Sequence, residues 1–248
     1  ADLTWAMILG TARNIVPADR YTRENRFKGW AANMYLGGDV FGKTLGVIGC
    51  GEIGAAVARR AVGFNMKILY FNRNRMSEKK ERELNAEYSS LGKLLQESDF
   101  VSAHVPLTEQ TKYMIGKEKL LMMKPTAYFI HTARGGVVDD TALVKVLKEG
   151  KIAGAALDVY ENEPELTEGM AELDNLMLLP QGHFHGHLTE DMIPAFLEAW
   201  KSDRIHASSY RGHSFTDGPR QVAEAQLLQY CSQQGWRVEL NLEKLQQI

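Results

Sequence analysis

Thr44-Leu45-Gly46-Val47-Ile48-Gly49-Cys50-Gly51-Glu52-Ile53-Gly54 reads as a short apolar strand that turns through glycines spaced G-x-G-x-x-G into the helical pattern Ile53 to Val62. A strand entering a helix through such a turn is the phosphate-binding element of a dinucleotide fold. Gly49 permits the tight turn, Gly51 lets the backbone approach a pyrophosphate, and Gly54 allows the helix to pack closely on the strand. Glu52 and Ile53 open the helix, whose N-terminus offers free N–H groups and the positive end of its dipole. The competing reading, a glycine-rich turn that binds nothing, is disfavoured by the flanking strand and helix. Cys50 reads as a small buried residue, since no sequence neighbour suggests an activated thiolate.

Outward from this turn, apolar runs recur at Thr44 to Ile48, Lys67 to Phe71, Phe100 to His104, Ala127 to His131, Ala153 to Val159 and Leu176 to Leu179. Helical patterns separate them at Ile53 to Val62, Leu91 to Glu97, Lys117 to Met122 and Asp140 to Glu149. Strand and helix in alternation, with strands apolar throughout rather than on one face, predict an α/β fold: a Rossmann-type doubly wound parallel sheet covered on both sides. Before it, Leu3, Met7, Ile8, Ala12, Ile15 and Val16 recur at helical spacing, predicting one long helix from Asp2 to Phe27, bent or broken near Pro17. Gly29 to Gly42, with Trp30, Tyr35 and Phe41, has no periodicity and reads as a loop. The predicted organisation is an N-terminal helix over 1–28, a dinucleotide-binding domain over 29–182 and an irregular, partly helical C-terminal segment over 183–248. Helices at Glu190 to Lys201 and Pro219 to Gln233 and a strand near Arg237 to Leu242 are plausible in that segment.

After the second strand, where an acidic residue normally holds the adenosine ribose, the sequence reads Asn72-Arg73-Asn74-Arg75. A neutral Asn72 removes the repulsion that a carboxylate would exert on a 2′-phosphate, and Arg73 and Arg75 offer guanidinium donors. NADP is therefore expected over NAD. Solvated loop arginines are the bland alternative.

Composition sets further bounds. The 248 residues carry 29 Lys and Arg against 31 Asp and Glu, net charge -2, so no global basic field favours nucleic acid. No apolar run approaches the roughly 18 residues of a membrane helix. Two cysteines, Cys50 and Cys231, are too few for a disulfide framework and favour a reducing, cytoplasmic setting. Five of the seven histidines lie beyond Gln181. His183, His185 and His187 alternate as metal ligands on a strand could, but no adjacent carboxylate or cysteine completes a set, and no metal is expected.

The fingerprint, followed by His104-Val105-Pro106-Leu107-Thr108, Thr132-Ala133-Arg134-Gly135-Gly136 and Leu157-Asp158-Val159-Tyr160-Glu161-Asn162-Glu163-Pro164, resembles the D-isomer-specific 2-hydroxyacid dehydrogenases, especially their glyoxylate/hydroxypyruvate reductase branch. The likeness runs from about Ala1 to Pro180. It implies reduction of a small 2-keto acid to the D-2-hydroxy acid with NAD(P)H. Arg134 then holds the substrate carboxylate and polarises the ketone. A histidine gives the proton, its basicity raised by Glu163. Asp158 matches the residue that contacts the nicotinamide carboxamide, Thr132 and Ala133, which lead into the arginine, are expected to bind the cofactor, and His104, Val105 and Pro106 match the loop bordering the adenine. A structural arginine, a solvated Glu163 and a buried structural His104 are the alternatives at those positions.

The family's proton donor directly follows the proline that ends the last strand, yet Pro180 is followed here by Gln181, which has no titratable proton. Counting back from Glu190 selects His183, with His185 behind it and the absence of a donor as the third possibility. The family also implies a substrate domain whose first segment precedes the helix Asp2 to Phe27. Two functional expectations follow: a 2-keto acid reductase using Arg134, Glu163 and His183, or a truncated, catalytically impaired dinucleotide-binding module without turnover. Relatives dimerise through the N-terminal helix and the aromatic loop, so a homodimer is expected; the alternative is that both pack on their own sheet.

Overall fold

The computed structural model describes residues 1–32 and 34–180. Seven strands, β1 (Thr44–Ile48), β2 (Lys67–Phe71), β3 (Ala86–Tyr88), β4 (Phe100–Ala103), β5 (Tyr128–His131), β6 (Gly154–Leu157) and β7 (Leu176–Leu178), form one sheet. Their order is β3-β2-β1-β4-β5-β6-β7 and every pairing is parallel. The doubly wound Rossmann-type α/β expectation is met. Strand order reverses between β1 and β4, which opens a crevice at their C-terminal ends.

Both faces of the sheet are covered. On one lie α5 (Leu91–Glu97), α6 (Lys117–Leu120) and α7 (Asp140–Lys148), whose Leu94, Leu120, Leu143 and Leu147 share a core with Val101, Phe129 and Ala155. α7 starts where Asp139 accepts the Ala142 N–H at 2.8 Å, a cap worth about 1 kcal/mol. On the other face α3 (Glu52–Ala61) brings Val57, Ala58 and Ala61 against Leu45, Ile68 and Ile130.

The N-terminal helix differs from expectation. α1 (Asp2–Ala12) stops at Arg13, Asn14 takes the left-handed conformation at φ 52°, and α2 (Ile15–Arg23) restarts. The break precedes Pro17, which sits in the first turn of α2, where no intrahelical N–H bond is required. α1 is not left uncovered: Trp5, Met7, Ile8 and Ala12 are buried in the same core as α3. Trp5 stacks on Phe64 at 4.7 Å and donates to the Val57 carbonyl at 3.0 Å. α2 buries nothing, and Trp30 in the loop beyond it is 85% exposed.

Two elements have no counterpart in the sequence reading: β3, three residues long, and α4 (Glu78–Leu84), which buries only Leu84. A helix with one buried residue has no apolar stripe to read. The helices and strand expected beyond Pro180 lie outside the described residues. Among the described residues no helix is long and apolar enough to cross a membrane.

Candidate functional site

Strand register gathers the candidate residues. Ile48, Ala103, His131 and Leu157 align across β1, β4, β5 and β6, with Phe71 paired to Ile48 and Leu178 to Leu157. The residues that follow them, Asn72, Gly49, His104, Thr132, Asp158 and Leu179, emerge as one row at the C-terminal edge of the sheet. All of the sequence-derived candidates up to Glu163 lie on the loops that begin there or in the first turn of α3.

At β1 the glycine turn is tightly specified. Gly49 has φ +92°, and a Cβ there would lie 2.9 Å from the His104 and Val105 backbone. A Cβ on Gly54 would overlap the Gly49 carbonyl oxygen. Gly51 is the opposite case: it caps α3 without a side-chain hydrogen bond, and nothing lies within 4 Å of where its Cβ would stand. Glu52 and Ile53 in the first turn are exposed. An open, glycine-surfaced helix N-terminus with unclaimed amides fits a dinucleotide pyrophosphate. Burial pushes the Cys50 thiol up to about 11, which keeps it neutral in this turn.

Asn72 faces the same turn. Its Oδ1 accepts the Cys50 N–H at 2.6 Å and its Nδ2 approaches the Cys50 carbonyl at 3.5 Å, so the side chain braces the phosphate loop. The two arginines behind it are not equivalent. Arg75 is clamped on Glu81 by two hydrogen bonds of 2.8 Å and lies over the Tyr88 ring. Those bonds, with one from Tyr70, hold the Glu81 carboxyl down at about 2. Arg73 is exposed and takes part in none of the ion pairs among the described residues.

On the facing wall His104 bonds Ser102 at 2.8 Å through Nε2, and burial above all lowers it to about 3, so the ring is neutral. Its neighbours Val105 and Pro106 lead into a turn held by the Thr111 hydroxyl, which donates to the Pro106 carbonyl at 2.6 Å. Thr132 shares a 3.3 Å hydroxyl contact with Thr4 of α1.

Arg134 stands half-buried in the turn after β5. One of its guanidinium nitrogens donates to the Ala133 carbonyl at 2.6 Å, and its own carbonyl accepts from His131 Nε2 at 3.0 Å. That bond puts the proton on Nε2, leaving buried Nδ1 without a partner among the described residues. Gly135 lies directly against the Tyr160 carbonyl, which a Cβ would overlap. Asp158 is buried beside this turn. Glu163 is exposed, and its Oε1 accepts the Tyr160 N–H at 2.8 Å, leaving its other oxygen for a further partner. Neighbouring Glu161 is held twice, its N–H by Asp140 at 2.9 Å and its carboxylate by the Tyr113 hydroxyl. His131, Asp140, Tyr113 and Tyr160 were not legible as site residues, because His131, Asp140 and Tyr160 act through backbone groups and Tyr113 through a carboxylate distant in sequence, contacts that no spacing reveals. Gln181, His183, His185 and His187 lie outside the described residues.

Three groups, buried His131 and Asp140 and half-buried His104, give the fold an acid response. Burial lowers His131 from 6.5 to about 4 and His104 from 6.5 to about 3, and raises Asp140 from 3.8 to about 6. As pH falls from 6.5 to 4 the unfolded chain protonates both histidines and the folded chain does not, so their contribution to stability falls. Asp140 acts oppositely, because below pH 6 the folded chain binds its proton first. Two groups oppose one. The urea midpoint is expected to drop between pH 6.5 and 4, and to drop more steeply in Asp140→Asn, where the opposing contribution is gone. A midpoint that rises on acidification would overturn this assignment.

Comparison with known proteins agrees with this geometry. The family model described as D-isomer specific 2-hydroxyacid dehydrogenase, NAD binding domain, matches residues 5–183. A glyoxylate reductase of Korarchaeum cryptofilum is 51% identical over 211 residues, covering 83% of this chain and 63% of the relative. One from Pyrococcus horikoshii is 54% identical over 184 residues, covering 73% and 55%. The crystal structure of a glyoxylate reductase from Paecilomyes thermophila superposes with a TM-score of 0.68 at 35% identity, covering 89% of this chain and 64% of that one. The chain thus spans between 55% and 63% of the length of these two curated relatives.

Proposed function

The chain belongs to the D-isomer-specific 2-hydroxyacid dehydrogenase family and carries its NAD-binding domain, and from that premise we propose that it serves NAD(P)H-dependent reduction of glyoxylate or a similar small 2-keto acid. The observation that carries the proposal is the single row of strand ends that places the phosphate turn, the Arg134 turn and the Glu163 turn on one edge of the sheet.

The cofactor's pyrophosphate would be held by the amides opening α3, and its adenosine end would run toward Asn72 and Arg73. A bound nicotinamide supplies the hydride. Arg134 binds the substrate carboxylate with its remaining guanidinium donors and stabilises the charge that grows on the carbonyl oxygen. Asp158 borders the nicotinamide side. Glu163, oriented by the Tyr160 N–H, keeps the proton-donating histidine basic enough to deliver its proton to that oxygen. His183 is the residue we assign to that step, with Gln181 as the position a substitution must discriminate. Turnover of glyoxylate, hydroxypyruvate and pyruvate by the full chain tests the proposal: glycolate is expected from the first and the D-2-hydroxy acid from the other two, and no turnover with any of the three would sink it.

NADP is the preferred cofactor. Arg73, with no ion-pair partner among the described residues, is the guanidinium left for a 2′-phosphate, while Arg75 is committed to Glu81. Arg73→Ala is expected to weaken NADPH binding roughly tenfold or more and leave NADH unchanged, as losing a charge-assisted phosphate contact should. Arg75→Ala is expected to loosen the Asn72 to Ser77 loop for both cofactors alike. Equal losses of NADPH and NADH affinity in Arg73→Ala would contradict the assignment.

Two copies pairing through exposed α2 and the Trp30 loop complete the reading, and a sedimentation mass reads that directly. A chain with only two cysteines, Cys50 and Cys231, supports a reducing cytoplasmic location, which cell fractionation tests.

A further inference from the structure

The loop that follows β2 is built on one carboxylate. The Glu81 side chain, on α4, is only 11% exposed, while the Arg75 side chain paired with it is 61% exposed. Arg75 gives Glu81 two hydrogen bonds of 2.8 Å, from Nε and Nη2, the edge with which a guanidinium grips a carboxylate or a phosphate side-on. The Tyr70 hydroxyl donates to the same carboxylate and accepts the Met76 N–H at 2.9 Å, so the loop is also tied to β2 without Arg75. At the other end of the loop, Asn72 is bonded to Cys50 of the phosphate turn at 2.6 Å. Two arginines thus stand on a loop anchored beside the glycine turn. The gripping edge of Arg75 is occupied, and Arg73 is exposed.

We propose that Glu81 is a specificity-determining residue that limits the preference for a 2′-phosphate by occupying Arg75, so that such a phosphate meets one free guanidinium where the sequence carries two. The proposal rests on the cofactor reading above and adds the residue that restrains it. Opposite charges in contact largely cancel each other's field a few ångströms away, and a two-point pair leaves the guanidinium without the edge that a phosphate needs. Hydrogen bonds, from Arg75 first and from Tyr70, hold the Glu81 carboxyl at about 2, so the lock stays charged around neutral pH. Glutamine at this position has the same shape. Its carbonyl oxygen would still accept from Tyr70, but it carries no charge to hold Arg75. Once released, the guanidinium is free to turn to an anion, because its side chain stands mostly in solvent.

Glu81→Gln in the full chain tests this by calorimetric titration with two probes, adenosine 2′,5′-bisphosphate, which carries the 2′-phosphate, and adenosine 5′-monophosphate, which does not. Neither needs turnover. The bisphosphate is expected to bind the variant roughly tenfold tighter, the gain of one charge-assisted contact, and the monophosphate to bind as it does to the unaltered chain. Made on Arg75→Ala, the same substitution is expected to improve bisphosphate binding by at most about twofold, the share that belongs to the field of the carboxylate alone. An equal gain with and without Arg75 would overturn the release of Arg75. Unchanged bisphosphate affinity in Glu81→Gln would overturn the proposal, and so would a loss shared by both probes, which would make the clamp a brace of the loop. If the unaltered chain binds the two probes equally, the preference for NADP fails, while a gain confined to the bisphosphate in Glu81→Gln would still establish the lock. An unaltered chain that binds neither probe sinks the dinucleotide reading and the proposal together.

Discussion

Arg134→Leu is expected to lower kcat/KM for glyoxylate on the order of a thousandfold, with NADPH affinity kept within about twofold. The size follows from two roles in one group. In the proposed mechanism the guanidinium fork fixes the substrate carboxylate in a planar, two-point contact, and the same charge stabilises oxygen as hydride arrives. Orientation and charge are lost together. The fold should survive, since the turn is held by His131 on the Arg134 carbonyl and by Gly135 against Tyr160, neither of which uses the side chain. Only the bond to the Ala133 carbonyl is lost, roughly 1 kcal/mol. Arg134→Lys keeps the charge without the fork and should fall between the two. Steady-state kinetics beside an NADPH titration checks this, and a variant that keeps more than a tenth of the activity would remove Arg134 from substrate binding.

Gly51→Glu is expected to weaken NADPH binding at least about a hundredfold while leaving thermal stability almost unchanged. No atom among the described residues lies within 4 Å of a Cβ at this position, so the side chain has open space to leave the backbone. It would occupy the space through which a pyrophosphate must approach and place a carboxylate beside it, a like-charge contact that costs several kcal/mol. Gly54→Ala is the contrasting change: its Cβ would overlap the Gly49 carbonyl oxygen, so α3 must shift, at about 1–3 kcal/mol of stability. Fluorescence titration and a melting curve on both variants separate the two glycines. If Gly51→Glu binds NADPH normally, the cofactor does not cross this turn.

Strand and helix alternation was readable because six of the seven strands are continuous apolar runs and most of the covering helices carry apolar stripes. β3 and α4 escaped because they are short and bury little. The break after α1 was expected near Pro17, and its exact place at Asn14 escaped for a different reason. Pro17 is the conspicuous helix breaker, but it is harmless in a first turn, while Asn14 breaks the helix by a left-handed conformation that its residue type permits and does not announce. In the site, residue types proposed to meet ligands directly, such as Gly51 and Arg134, are legible from motif and chemistry. Supporting residues are not. Asn72 reads as a missing acid, yet in the structure it is a brace on Cys50, and Arg75 reads like Arg73 until Glu81 is seen across the loop. Tyr160 and Asp140 act on backbone groups brought near by β6 and α7, contacts that depend on the tertiary arrangement and leave no periodic trace.

The central claim is that the phosphate turn and the Arg134 turn of this chain work on one cofactor and one 2-keto acid. Fluorescence titration of the full chain with NADPH, followed in the same cuvette by glyoxylate while NADPH absorbance is monitored, tests it most directly. The account predicts saturable binding and then oxidation of the cofactor, with one glycolate formed per NADPH consumed. Saturable binding with no oxidation would contradict it, leaving a dinucleotide-binding protein whose Arg134 and Glu163 turns do no chemistry.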